Sequence, residues 1–314
     1  MKADPKRIEK GMYWDRALSI VEGCSPVSPG CDNCWSAKAT ETRSHQNNPK
    51  IKARYAGLTH EGGEWSGRVR LMHNDLEKPA RVRKPTVWAV WNDLFHPKVM
   101  ECLKPSLCNP ESFLDQAFLM MRHCWQSTFL ILTKRPENML RFYHSFYAKH
   151  PGYWSSNIWL GITAENQQQY DDRWEIASQI PITNLFVSGE PLLGPIDFSK
   201  HKKLPRWFVV GGESGSKARP MHPDWARSLR DQCQDACVPF FFKQWGSWYP
   251  FYDRGKDDPD WRKIPRESKN ICRINLEGGI GFHGDRVVYF KRASKKKAGR
   301  LLDGRTWDEF PGDE

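Results

Sequence analysis

Cys24, Cys31 and Cys34 fall on one short stretch, GCSPVSPGCDNCW, which also carries Pro26, Pro29 and Gly30. Cysteine binds metals as the thiolate, and three thiols so placed define a donor set with one position to spare. A structural zinc site closes on four ligands, commonly from two paired CxxC knuckles. Here Cys31-x2-Cys34 is the one knuckle of the loop, and the candidates for a fourth ligand, Cys102, Cys108 and His45, form no second. Iron–sulfur clusters are held by thiolates, four for a cubane; three would leave one iron open to a substrate or cofactor. Three reduced thiols without a metal are the plainer reading, and their crowding into one Pro/Gly loop weighs against it. Cys124, Cys233 and Cys237 lie in helix-like stretches and read as core thiols. Cys272 has no assignment.

Other chemistry-bearing residues recur at one kind of place, the end of a short apolar run. TVWAV (86–90) ends in Trp91-Asn92-Asp93, TFLIL (128–132) in Thr133-Lys134-Arg135, and NIWLGI (157–162) in Thr163-Ala164-Glu165. NLFV (184–187) ends in Ser188-Gly189-Glu190, RWFVV (206–210) in Gly211-Gly212-Glu213, and VPFFF (238–242) in Lys243-Gln244-Trp245. ALSIVEG (17–23) leads into the cysteine loop. Continuous apolar runs suit strands buried on both faces, as in parallel sheets. Helix-like stretches intervene, among them ESFLDQAFLMMRHCWQ, ENQQQYDDRWEIASQI and HPDWARSLRDQCQDAC. The alternation predicts an α/β fold, a partial (β/α) barrel of about six to seven parallel strands over residues 1–245. In such folds the site forms at the carboxyl ends of the strands, where these polar residues and the thiols would gather. Singly, Asp93, Glu165 or Glu190 reads equally well as a helix cap, and Gly211-Gly212 as a tight turn. GGESG is no dinucleotide fingerprint.

Residues 246–314 differ in character. WGSWYPFYDRGKDDPDWRKIPRESKN is aromatic, charged and without periodicity, and it reads as an irregular lid loop over the barrel mouth. A small hairpin around Gly284-Asp285 and a basic C-terminal extension are expected to follow. A net charge of +11 favours polyanionic partners, nucleic acid first. Its clusters are Lys50, Lys52 and Arg54; Arg68, Arg70, Arg81, Arg83 and Lys84; and Lys291 to Arg300. No apolar run is long enough to span a bilayer, and the polar start MKADPKRIEK has no secretory h-region. A cytoplasmic location is expected, with the nine cysteines as thiols or metal ligands.

The strings GCSPVSPGCDNCW, WNDLFHPKV, LTKRPENM, NIWLGITAENQ, VSGEPLLGPID, VVGGESGSKARPM, VPFFFKQWG and AGRLLDGRTWDEFP together resemble a phage and bacterial family of uncharacterised three-cysteine (CX6CX2C) proteins, classed with the radical S-adenosylmethionine (SAM) superfamily. The likeness runs from about Ile20 to Pro311. Two departures from the superfamily stand out. Six residues rather than three separate the first cysteines, and the aromatic residue follows the last cysteine (Trp35), with Asn33 before it. The resemblance implies a [4Fe-4S] cluster on Cys24, Cys31 and Cys34, with SAM on its open iron. It implies Asn92 and Asp93 for the methionine amine and Lys134 or Arg135 for the carboxylate. Thr163, Glu165, Ser188 and Glu190 would serve ribose and adenine, with Gly211, Gly212 and Glu213 beside the adenine. Lys243, Gln244 and Trp245, with Arg135, would face substrate. A flavodoxin or ferredoxin would supply electrons. The implied activity is an isomerase- or lyase-type radical remodelling of a modified base, a hypermodified thymine in phage DNA, in the host cytoplasm. Two alternatives stand beside it: a DNA-lesion repair lyase resembling spore photoproduct lyase, and a non-enzymatic nucleic-acid-binding module stabilised by zinc.

Overall fold

In a computed structural model, residues 1–101, 111–255, 257–265, 267–279 and 286–312 are described. Cys102, Cys108 and the expected turn at Gly284-Asp285 lie outside them. Seven parallel strands form one curled half-barrel sheet whose spatial order is the order along the chain. They are β1 (Arg16–Leu18), β2 (Val87–Val90), β3 (Thr128–Thr133), β4 (Ile158–Thr163), β5 (Leu185–Gly189), β6 (Phe208–Gly211) and β7 (Phe240–Gln244). β2 to β7 each overlap one of the apolar runs, whereas β1 takes only Ala17 and Leu18 of ALSIVEG. The reason is burial on both faces: every residue of β4, β5 and β6 is buried, so alternation has no place in them.

The chain divides into two compact units, Met1–Thr163 with Asp172–Phe186, and Ala164–Asp171 with Val187–Glu314. In the first, Phe113–His123 and Pro136–Lys149 are amphipathic helices. Their rings Phe118, Phe142 and Phe146 pack with one another and with Phe95, centroids 4.6 to 6.3 Å apart. Ser112 starts the earlier helix with a reciprocal capping box to Asp115. In the second unit, Trp207 and Phe241 pack against Phe310. The end of the chain is thus pinned by an aromatic residue.

Two expectations fail. ALSIVEG is not one strand: β1 ends at Leu18, and Val21–Glu22 pairs antiparallel with Arg70–Leu71. The segment 248–255 is not irregular. It is a strand, β8 (Trp248–Gly255), and with β9 (Ile271–Arg273) and β10 (Arg286–Arg292) it forms an antiparallel sheet. β8 lies at its edge, where Pro250 costs no ladder bond on its open side, and the pairing register shifts between Pro250 and Tyr252. Proline and charge disguised the strand. Among the described residues no helix is long and apolar enough to cross a membrane.

Candidate functional site

The cysteine loop begins at Gly23, whose φ of +93° only glycine adopts easily. A Cβ there would also lie 2.1 Å from the Arg68 carbonyl oxygen. Pro29–Cys31 forms a 3₁₀ turn, and Cys34 is the N-cap of helix Trp35–Ser44, its side chain making no capping bond. That thiol therefore stands at a helix N-terminus, where the dipole favours negative charge. The three cysteines are half-buried and in no disulfide. Among the described residues, no three His, Cys, Asp or Glu side chains are gathered in a metal-holding arrangement. The donor set itself, three thiols in no disulfide on one loop, is of the kind that holds a thiolate centre.

Behind Cys24 stands a buried polar network within the first unit. The Arg135 guanidinium, 5% exposed, donates to Asp93 Oδ2 at 2.5 Å, to Ser25 O at 2.9 Å and to Ser25 Oγ at 2.8 Å. It reaches Cys24 Sγ at 3.9 Å. Asp93 in turn accepts from Thr133 Oγ1 at 2.7 Å and from the Phe95 N–H at 3.0 Å. His96 Nδ1 accepts the Lys98 N–H at 3.2 Å, which leaves Nε2 of the neutral ring as the N–H that donates to Ser25 Oγ, 2.9 Å away. A histidine held in that tautomer cannot take the serine proton, so Ser25 is no His-activated nucleophile. Burial, then the nearby Asp93 carboxylate, pushes the Cys24 thiol up to about 12, against the pull of Arg135. Burial, then the Arg135 charge, lowers His96 to about 4.

The residues expected at the strand ends divide between the two units. In the first, Asp93 and Arg135 meet each other and Cys24, as above. Asn92 sits at φ 61° and spends its amide on structure: Nδ2 donates to Val21 O and Glu22 Oε2, and Oδ1 accepts from Ser36. It thereby ties the end of β2 to the helix that follows the cysteines. Lys134 is half-buried and Thr163 buried; the Thr163 carbonyl accepts from Arg173 at 2.6 Å. In the second unit, Lys243 Nζ lies 2.8 Å from Glu190 Oε1, and Ser188 donates to the other carboxylate oxygen at 3.1 Å. Glu165 is fully buried. Glu213 is gripped by the backbone N–H, Nε and Nη2 of Arg219 at 2.7 to 3.0 Å. Gln244 Nε2 donates to Gly212 O and Ser214 Oγ. Trp245 is buried, its N–H on Leu301 O; it helps line a cavity of about 920 Å³ that also carries Tyr249, Phe251, Asp258 and Lys263. Gly212 has a packing reason to be glycine, since a Cβ would meet the Trp245 carbonyl oxygen at 2.0 Å.

Ser25 and His96 were missed from sequence, though one adjoins Cys24 and the other precedes Pro97 as a helix N-cap. Cys124 and Cys233 are buried as expected, but Cys237 is exposed: it lies beyond helix Pro223–Asp235 at φ 51°. Part of the basic surplus is also structural. Arg54 bridges Glu22 and Asp75 at 2.6 Å, and Arg70 donates to the carbonyls of Ala53, Arg54 and Ala56.

Fold and loop define an α/β half-barrel protein with a three-thiol loop after its first strand. The chain belongs to the protein family of unknown function DUF5131, whose profile matches residues 9–311. Comparison with curated proteins and with solved structures gives no match.

Proposed function

We propose that the chain is a radical SAM enzyme that remodels a modified nucleobase, a hypermodified thymine in phage DNA. The observation that carries this reading is the cysteine loop: three half-buried cysteines in no disulfide, near the end of the first strand of a parallel half-barrel. When bound, a [4Fe-4S] cluster on Cys24, Cys31 and Cys34 supplies an electron, from a flavodoxin or ferredoxin, for reductive cleavage of SAM to methionine and a 5′-deoxyadenosyl radical.

The protein's own part is to hold and to screen. Cys34 meets a helix N-terminus, which favours its thiolate, and at Cys24 the Arg135 cation partly offsets the burial and the Asp93 charge that hold the thiol up. The fixed Asp93–Arg135 pair keeps that cation in place without leaving it bare. A base substrate is supported by the net charge of +11, since a basic surface attracts polyanions.

The test is anaerobic purification of the full chain followed by iron, sulfide and zinc analysis. The proposal expects a brown protein with broad sulfur-to-iron absorption. Reduced enzyme with SAM should then convert modified duplexes and leave unmodified ones alone, read by nucleoside mass spectrometry. Colourless protein holding stoichiometric zinc, with no iron even after anaerobic reconstitution, would falsify the radical reading. Turnover confined to damaged, unmodified DNA would replace base remodelling by repair.

A further inference from the structure

Arg135 is an expensive residue. It sits at the N-cap of Pro136–Lys149, where the helix dipole disfavours a cation, and its guanidinium is buried, which costs more. Asp93 offsets the charge, yet the geometry is more specific than neutralisation requires. One nitrogen of the fork bonds Asp93 and reaches Cys24 Sγ; the other holds both the carbonyl and the hydroxyl of Ser25. Thr133 and the Phe95 N–H fix Asp93, and His96 fixes the Ser25 hydroxyl from a further side. Groups from the ends of β2 and β3 thus converge on Cys24 and Ser25. Cys31 and Cys34 owe their places to other devices, the 3₁₀ turn and the helix N-cap.

We infer that Arg135 is a positioning residue for Cys24: its guanidinium clamps the near end of the loop so that this thiol meets the other two across the six-residue spacer. The inference rests on the thiolate-centre reading. It assigns Arg135 to the loop rather than to a SAM carboxylate or a substrate. A ligand's orienting partners commonly change metal affinity by about 10- to 100-fold when lost, and a guanidinium that bonds through two nitrogens is not replaced by an ammonium.

The experiment is a cobalt(II) titration of the reduced, metal-free full chain, followed by the sulfur-to-cobalt charge-transfer band. R135K should bind cobalt about 10-fold more weakly, with band intensity per cobalt falling to that of C24S. S25A, which leaves the Arg135–Asp93 pair standing, should move both readings in the same direction and keeps the test available if R135K does not fold. The deciding step is a double-mutant cycle. R135K should add nothing in a C24S background, because the thiol it positions is gone, and should keep its full penalty in a C31S background. A merely structural role would weaken both backgrounds alike, and that result overturns the inference, as do R135K and S25A with wild-type affinity and band. A wild-type chain with no cobalt–thiolate band overturns the thiolate centre itself and the clamp with it.

Discussion

Replacing His96 by asparagine should flatten the acid limb of the protein's stability. The ring is buried between the Lys98 N–H and the Ser25 hydroxyl. Its charged form is opposed first by burial, then by Arg135 and Lys98, and favoured only by Asp93. In the unfolded chain the imidazole takes a proton near its ordinary 6.5; in the fold it waits until about 4. Between those values the unfolded state binds more protons, so stability falls as pH drops through the window, and above it the histidine contributes no slope. One pH unit is worth about 1.4 kcal/mol, so the loss accumulates to about 3 kcal/mol at the lower end of the window. Asparagine does not titrate, and as an N-cap it still accepts the Lys98 N–H. Urea denaturation of the reduced full chain, wild type and H96N, at several pH values across the window provides the measurement. The carboxylates titrate in both proteins and cancel in the difference. Wild type should lose its advantage over H96N, by about 3 kcal/mol, as the pH falls. Parallel stability curves would refute the reasoning and place the His96 ring in contact with water.

D93N should destabilise the fold by about 3 kcal/mol, because it leaves the Arg135 charge buried with no counter-charge. Adding R135M should recover part of that loss in the same urea assay; no loss in D93N would mean that water reaches the guanidinium. Alanine at Gly212 should cost more than about 2 kcal/mol, since backbone must move to admit the Cβ. G211A should cost distinctly less, because the Cβ there meets the end of the Glu190 side chain. Equal melting temperatures for the two glycine variants would contradict this ordering.

Six of the seven sheet strands, β2 to β7, were legible because a strand buried on both faces is written as consecutive apolar residues. Where that condition lapses, so does the legibility. The apolar run at the front continues through Ile20 and Val21, but those residues leave the main sheet for a pairing with Arg70–Leu71. β8 carries proline and charge because an edge strand tolerates both. The same holds for the strand-end residues. Their positions follow from the runs, but their roles depend on where each side chain points, and Asp93, Glu190 and Glu213 point at Arg135, Lys243 and Arg219. No residue type announces such a partner. Ser25 and His96 were invisible for a related reason: short neutral groups matter here only because a buried guanidinium needs acceptors and its acceptor needs orienting.

The six-residue spacer joins two cysteines that are anchored differently. Cys24 follows the left-handed turn at Gly23, fixed by the close pass of Arg68, and Ser25 is bound to Arg135. Cys34 is bound to the start of its own helix, with Cys31 one tight turn before it. Those two anchors belong to different elements, and the chain from Pro26 to Ser28 has to cross from one to the other. The two ends also differ electrostatically: Cys34 stands at a helix N-terminus, which favours a thiolate, whereas burial and Asp93 hold the Cys24 thiol up and Arg135 offsets them only in part.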